Sequence, residues 1–164
     1  MIRSITVSTL IALASAASAC SNPAADAAKA VTSEPSAARP TRTGDATAGE
    51  RLAVAPDNSR IEFVGTKVTG SEGGAFKEFS GTIRLVNGKP EESRVEIAID
   101  MDSVVTASPG LAEHLRNADF FDAPRYPQAT FASTEIKPGG QRGATHTVTG
   151  DLDLHGVKKS ITFP

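Results

Sequence analysis

Few residues in this 164-residue chain have the types and spacing that catalysis requires. It has three histidines, none in an HExxH-type metal spacing: His114, His146 and His155. Loops at one end of a barrel would still allow His114, His155 and Asp102 to converge on a metal ion. Asp100 and Asp102 lie on the polar face of a predicted strand, which favours solvated carboxylates over an acid–base pair. We therefore predict no catalytic residue, no metal site and no cofactor. A metal-dependent enzyme that uses His114 and His155 is the third-ranked functional hypothesis, after the two described at the end of this section.

Cys20 is the only cysteine, and its surroundings indicate acylation rather than catalysis. A positive charge at Arg3 precedes an unbroken run of apolar and small residues from Ile5 to Ala19. That run suits a signal peptide and is short for a membrane span, which needs about 20 apolar residues. Small residues directly before Cys20 resemble a bacterial lipobox, although an ordinary secretory signal is the alternative. We expect residues 1–19 to be a signal peptide and Cys20 to carry a lipid anchor in the periplasm of the bacterial cell envelope.

Residues 20–57 have the composition of a tether. Ala, Pro, Ser and Thr dominate, and four prolines interrupt any apolar periodicity: Pro23, Pro35, Pro40 and Pro56. A flexible chain of this length spans on the order of 30 Å. We expect this disordered segment to hold the folded domain, residues 58–164, clear of the membrane to which Cys20 is attached.

The stretch from His114 to Phe131 contains a short helical signal followed by two adjacent aromatic residues. Leu111 and Leu115 stand four residues apart, which places both on one side of a helix. Phe120 and Phe121 follow, and prolines then release the chain into an extended run. Because two phenylalanines in a polar loop are costly to expose, we expect Phe120 and Phe121 to plug one end of the core, either as packing or against a ligand.

Elsewhere in the domain the hydrophobic period is two, which is typical of β-strands. The clearest case is Val95 to Met101, where apolar residues alternate with polar ones. Asn87-Gly88 and His155-Gly156 are signals for hairpin turns. We predict six strands, beginning near these residues: Arg60, Phe79, Val95, Gln128, Val148 and Lys159. The short helix falls between the third and the fourth.

This pattern predicts an all-β fold, an antiparallel sandwich or barrel with a short helical insertion. A small closed barrel needs about eight strands. The chain stops at Pro164, inside a predicted strand. We therefore expect the closing strands to be missing and the domain to be incomplete at its C-terminus.

Composition excludes two classes of partner. The formal net charge is −2, and no Lys/Arg patch interleaves with aromatic residues, which argues against nucleic acid. The chain has no tryptophan and only one tyrosine, so an aromatic cage for sugars or quaternary amines is not expected.

Several motifs, taken together, resemble those of the YceI-like family, whose members are exported, lipocalin-like β-barrel proteins associated with polyisoprenoid binding. The motifs occur in family order: Ile99–Val104, His114-Leu115, Asp119–Asp122, Tyr126-Pro127, Thr130–Ser133, Val148–Leu152 and Leu154–Val157. The chain departs from the family at Leu111-Ala112, where an Arg-Asp pair is usual.

The resemblance implies that the barrel interior holds a long-chain apolar lipid of the isoprenoid type. Each CH₂ moved from water into such a lumen contributes about 0.8 kcal/mol. The candidate ligand-binding residues are Phe63, Phe79, Ile97, Ile99, Met101, Phe120, Phe121, Phe131 and Leu152. The alternative is a structural or stress-response interaction module whose barrel is filled by its own side chains. The expected partners are the lipid and, through the anchor, a membrane; a homodimer is left open.

Overall fold

The computed structural model describes residues 30–35, 49–67, 70–141 and 143–164. The predicted signal peptide and Cys20 lie outside these residues. The strands are β1 (Val31–Ser33), β2 (Glu50–Val54), β3 (Ile61–Lys67), β4 (Gly70–Phe76), β5 (Phe79–Val86), β6 (Lys89–Asp100), β7 (Val104–Thr106), β8 (Gln128–Pro138), β9 (His146–Leu154) and β10 (Val157–Phe163). A 3₁₀ helix, Met101–Ser103, follows β6, and α1 (Pro109–Arg116) follows β7.

The strands form two antiparallel sheets. The larger sheet has seven strands in the order β1-β10-β9-β8-β6-β5-β2, and the smaller has three in the order β3-β4-β7. The predicted all-β antiparallel class with a short helical insertion is therefore confirmed. Among the described residues the sheets do not close into a barrel, because β1 and β2 end the larger sheet and pair with neither each other nor the smaller one.

Two hairpins of the larger sheet confirm the predicted turns. Asn87 and Gly88 have φ values of 53° and 69°, and His155 and Gly156 have 55° and 72°. Positive φ at both central residues matches the right-handed twist of the flanking strands. As a result, Val86 pairs with Lys89 at the first hairpin.

The alternation in β6 separates a buried face from an exposed one, as predicted. Ile99 is buried, whereas Glu96 and Asp100 are exposed. Met101 differs from the prediction, because it belongs to the 3₁₀ helix rather than to the strand. Its side chain is 1% exposed and joins the core cluster with Ile99.

The predicted domain start and strand count are both wrong. The six predicted strands correspond to β3, β5, β6, β8, β9 and β10, whereas the described residues contain ten. β1 and β2 lie inside the predicted tether, and β2 pairs along its whole length with β5, so the folded part begins before residue 58. β4 was not predicted because GSEGGAF has three glycines and little apolar alternation. β1 and β7 are each only three residues long.

α1 packs beside β7 and positions the loop that follows it. Pro109 starts the helix, and Ala112 and Leu115 are its buried residues. The Arg116 guanidinium donates to the carbonyl oxygens of Asp102 and Val104 at 2.7 and 2.8 Å, which ties the end of α1 to β7. In the part of the chain described, no helix has the length and apolar character to cross a bilayer.

Candidate functional site

An apolar cavity of about 250 Å³ lies between the two sheets and is partly open to solvent. Its lining comes from both sheets and from the segments after β6 and α1: Phe63, Phe76, Ile99, Met101, Phe121, Ala129, Leu152 and Leu154. Every one of these side chains is apolar. A group bound here is therefore held by exclusion from water and by shape rather than by polar recognition.

Ala129 is a small, buried residue in the wall of this cavity. It faces inwards from β8 directly opposite Ile99 of β6, and its side chain is 2% exposed. It is the smallest residue of the lining.

Three phenylalanine rings pack together along one side of the cavity. The ring centroids of Phe63 and Phe76 are 5.7 Å apart, and those of Phe76 and Phe121 are 5.9 Å apart. Phe63 and Phe121 meet edge to face at 6.4 Å. Such pairs are worth about 0.5–1.5 kcal/mol beyond their area burial. The cluster joins the smaller sheet to the loop after α1.

Gly74 leaves room for the end of the Phe63 ring to approach β4. The two residues are directly paired, and a Cβ at position 74 would stand 2.3 Å from Phe63 Cζ. Any larger residue at position 74 would push the ring away. The glycine that obscured β4 in the sequence therefore has a direct role in shaping the cavity.

The loop after α1 presents Phe121 to the cavity and turns Phe120 away from it. The backbone N–H of Phe121 donates to the Leu115 carbonyl at 3.0 Å, which fixes the loop against the helix. Phe120 is 47% exposed, and its ring packs on His114 at 4.9 Å. Only one of the two predicted plug residues therefore lines the cavity.

Comparison with known sequences places this architecture in a family. A sequence model of the YceI-like domain matches residues 52–164, from within β2 to the end of the chain given. The chain belongs to the YceI-like family. This confirms the family predicted from the motifs.

Individual YceI-like relatives agree with this assignment. The chain is 42% identical over 90 residues to protein YceI of Escherichia coli and 40% identical over 90 residues to a UPF0312 protein of Pseudomonas putida. Each match covers 55% of this chain and 46% of the relative, so the chain spans about half the length of these proteins. The crystal structure of Burkholderia cenocepacia BcnA is similar, with a TM-score of 0.58, 30% identity, and coverage of 66% of this chain and 67% of BcnA.

The YceI-like motifs meet in space beside the cavity. The turn of the β9–β10 hairpin packs on the loop after α1, with the His155 and Tyr126 rings edge to face at 4.9 Å. His155 Nε2 lies 3.9 Å from Asp122 Oδ2. A Cβ on Gly156 would stand 2.7 Å from Tyr126 Cε1, so this close approach requires glycine. The motif residues thus hold the Phe121 loop against the hairpin that carries Leu154.

Of the nine predicted ligand-binding residues, five line the cavity and four do not. Five line the cavity: Phe63, Ile99, Met101, Phe121 and Leu152. Phe79 is buried in the hydrophobic core cluster but does not line the cavity. Ile97 and Phe131 pair with each other on the same face of the sheet as Ile99 and Ala129, two residues further along the strands. The Phe131 ring packs on Phe163, with centroids 5.6 Å apart. Phe120 lies outside the cavity and is largely exposed.

Sequence reasoning missed three lining residues: Phe76, Ala129 and Leu154. Leu154 shares the strand alternation of Leu152, so the period-two pattern contained the signal for it. Phe76 ends a strand that was not predicted, and nothing in the sequence marks Ala129 as a lining residue.

The residues considered for a metal centre do not come together. His114 packs on Phe120, His155 packs on Tyr126, and Asp102 lies 3.3 Å from the Arg116 guanidinium. Within residues 30–35, 49–67, 70–141 and 143–164, no three His, Cys, Asp or Glu side chains are placed to hold a metal ion. The alternative of a metal-dependent enzyme using His114 and His155 is therefore not supported by the geometry.

Proposed function

We propose that this protein is an exported, membrane-tethered binding protein that holds a long-chain apolar lipid of the isoprenoid type between its two sheets. The observation that carries the proposal is the cavity of about 250 Å³ with an entirely apolar lining. It is larger than the roughly 150 Å³ that suffices for a benzene-sized guest in a protein core. Membership of the YceI-like family supports the same function.

The size of the cavity limits how much of the lipid is enclosed. Taking about 30 Å³ for each CH₂-sized group, the share that a water molecule occupies, the cavity accommodates roughly eight such groups. At about 0.8 kcal/mol for each buried CH₂, their transfer from water contributes about 6 kcal/mol before the costs of association. The rest of a longer chain would extend through the open side.

The polarity of the interior determines which end of the lipid enters. Every buried side-chain nitrogen and oxygen of the described residues already has a hydrogen-bond partner. Because every lining side chain is also apolar, no side chain of the lining can hydrogen-bond a headgroup. The hydrocarbon tail is the part that binds, and the headgroup stays near the solvent.

The sharpest test is to fill the space beside Ala129. Ala129→Leu adds volume where the wall has its smallest side chain, so it should abolish binding of farnesol, measured by calorimetry and native mass spectrometry. Filling a true cavity also tends to stabilise a fold, by about 0.5–2 kcal/mol. Ala132→Leu is the matched control, because Ala132 lies on the same strand but is exposed.

Two results would contradict this function. Farnesol binding by Ala129→Leu at the affinity of the parent would show that the ligand lies elsewhere. Absence of any lipid from the protein isolated from its own host, together with no farnesol binding by the parent, would favour the interaction module with a self-filled interior.

Tethering is proposed to depend on an acyl group on Cys20, the only cysteine of the chain. At least two acyl chains are needed for stable anchoring. Incorporation of a labelled fatty acid should be lost in Cys20→Ser and retained in Ser21→Ala. Equal labelling of Cys20→Ser and the parent would rule out this anchor.

A further inference from the structure

The wall of the apolar cavity continues from β9 onto β10, where it becomes exposed to solvent. Leu152 of the lining pairs directly with Lys159 of β10, and directly opposed residues of an antiparallel pair point to the same side of the sheet. Leu154 of the lining pairs directly with Val157 in the same way. Val157 is 55% exposed, and the Lys159 side chain is 44% exposed. These two residues of β10 therefore form a rim between the cavity and solvent.

Lys159 places a positive charge on this rim. The other charged residues of β9 and β10 alternate with the lining residues and therefore point to the opposite face of the sheet: Asp151, Asp153 and Lys158. A lysine can lay its methylene stem along apolar surface while its ammonium stays in water. The Cα atoms of Lys159 and Leu152 are about 4.5–5.5 Å apart, as in any such pair. The ammonium is thus the charged group that β9 and β10 offer at the edge of the cavity.

A carboxylate of the N-terminal segment already pairs with this ammonium. Lys159 Nζ donates to Glu34 Oε1. Glu34 directly follows β1, a strand of only three residues that is exposed throughout and pairs with β10. The Glu34 side chain is itself 83% exposed. Because water and salt screen ion pairs with this exposure, Glu34 holds the ammonium weakly.

We propose that Lys159 binds an anionic headgroup, a phosphate or a carboxylate, of the lipid whose tail occupies the cavity, and that Glu34 takes the place of this headgroup in its absence. The inference rests on the proposed function and narrows the ligand to a lipid with an acidic headgroup. The apolar lining makes no distinction between headgroups, so the charge on the rim supplies that selectivity. Headgroup oxygens would accept charge-assisted hydrogen bonds from Lys159 Nζ.

Binding of the tail gives the headgroup its advantage over Glu34. A tail held in the cavity keeps its own headgroup beside the rim and raises the effective concentration of the anion there. A small free anion has no such attachment and competes poorly with Glu34. The site therefore selects for an anion and an apolar chain in one molecule.

The test compares farnesyl phosphate and farnesoic acid with farnesol, whose headgroup is uncharged. Binding to the full chain is measured by calorimetry at low and at high salt. We expect the parent to bind at least one of the two anions about fivefold more tightly than farnesol at low salt, and to lose this preference at high salt. The anion that binds more tightly identifies the headgroup as a phosphate or a carboxylate.

Variants of the ion pair separate recognition of the headgroup from general charge. Lys159→Gln should lower the affinity for the preferred anion to that for farnesol, and Lys159→Arg should retain the preference. Lys158→Gln is the matched control, because it makes the same charge change at the next residue, on the opposite face, and should keep the preference. Glu34→Gln should strengthen binding of the anion about threefold in the parent but not in Lys159→Gln, because the two acidic groups compete for one ammonium.

The outcomes distinguish failure of the headgroup site from failure of the proposed function. Equal affinity of the parent for all three lipids, or a preference that survives in Lys159→Gln, would overturn the headgroup site alone. An effect of Glu34→Gln that persists in Lys159→Gln would overturn the exchange with Glu34. Ala129→Leu should abolish binding of the preferred anion together with that of farnesol, and retention of the anion would place it outside the cavity and overturn the proposal. A parent that binds none of the three lipids would refute the proposed function itself.

Discussion

Phe121→Ala removes the one cavity ring that a loop, rather than a strand, positions. The ring lies 5.9 Å from Phe76 and 6.4 Å from Phe63, so the change breaks two of the three aromatic contacts. A fully buried Phe→Ala change costs about 3–5 kcal/mol. Because Phe121 is only partly buried, we expect a loss of about 2 kcal/mol in the free energy of unfolding. For a domain of this size that lowers Tm by about 10 °C.

Phe120→Ala is the matched control for this experiment. The residue type and the loop are the same, but the Phe120 ring is 47% exposed and packs on His114 instead of the cavity. We expect its loss of stability to stay below about 1 kcal/mol. The difference between the two variants therefore isolates the aromatic cluster from general effects of shortening the loop's side chains.

The same pair of variants separates packing from ligand retention. Unfolding in urea gives the free energy of each variant, and the release rate of pre-bound farnesol is measured on the folded fraction. If Phe121 covers bound lipid, losing a contact of about 1 kcal/mol should speed release about fivefold in Phe121→Ala. Phe120→Ala should release at the parental rate.

Two outcomes would refute this reasoning at different points. A Phe121→Ala protein with the parental urea midpoint would show that the ring makes no net packing contribution. A destabilised Phe121→Ala protein that releases farnesol at the parental rate would show that the aromatic cluster is core only.

Two glycine substitutions test the close approaches of aromatic rings to the sheets. Gly74→Ala should displace the Phe63 ring and cost about 1–3 kcal/mol, together with weaker farnesol binding, whereas Gly73→Ala, which meets nothing within 4 Å, should change the urea midpoint little. Gly150→Ala should cost at least as much as Gly74→Ala, because its Cβ would stand 2.5 Å from the Ala132 backbone oxygen as well as 2.4 Å from the Phe131 ring. Equal midpoints for Gly73→Ala and Gly74→Ala, or a parental midpoint for Gly150→Ala, would contradict these close approaches.

The sequence predicted those parts of the fold that depend on local alternation. β6 was recognisable because one face is apolar and the other is charged, and the hairpins were recognisable because Asn87-Gly88 and His155-Gly156 adopt positive φ. Both signals act over a few residues. They report the secondary structure and the face of a residue without reference to the rest of the chain.

Whether a residue lines the cavity depends on its position along the strand as well as on the face it occupies. The apolar–polar alternation predicts only the face. Ile97 and Ile99 have the same parity on β6, yet Ile99 lines the cavity and Ile97 pairs with Phe131 beyond it. The side-chain directions of residues outside helices and strands are still harder to predict from the sequence. Phe120 and Phe121 are adjacent and chemically identical, and their directions depend on the backbone of the loop, where Phe120 N–H donates to the Asn117 carbonyl and Phe121 N–H to the Leu115 carbonyl.

The residues that first suggested chemistry have supporting roles in the structure. His155 packs on Tyr126, and the Asp102 carbonyl anchors Arg116 at the end of α1. These contacts set the position of the loop that carries Phe121, whereas the cavity itself contains only hydrocarbon, aromatic and thioether groups. If the cavity holds a lipid as proposed, substitutions at the polar motif residues should therefore change its binding through the position of this loop.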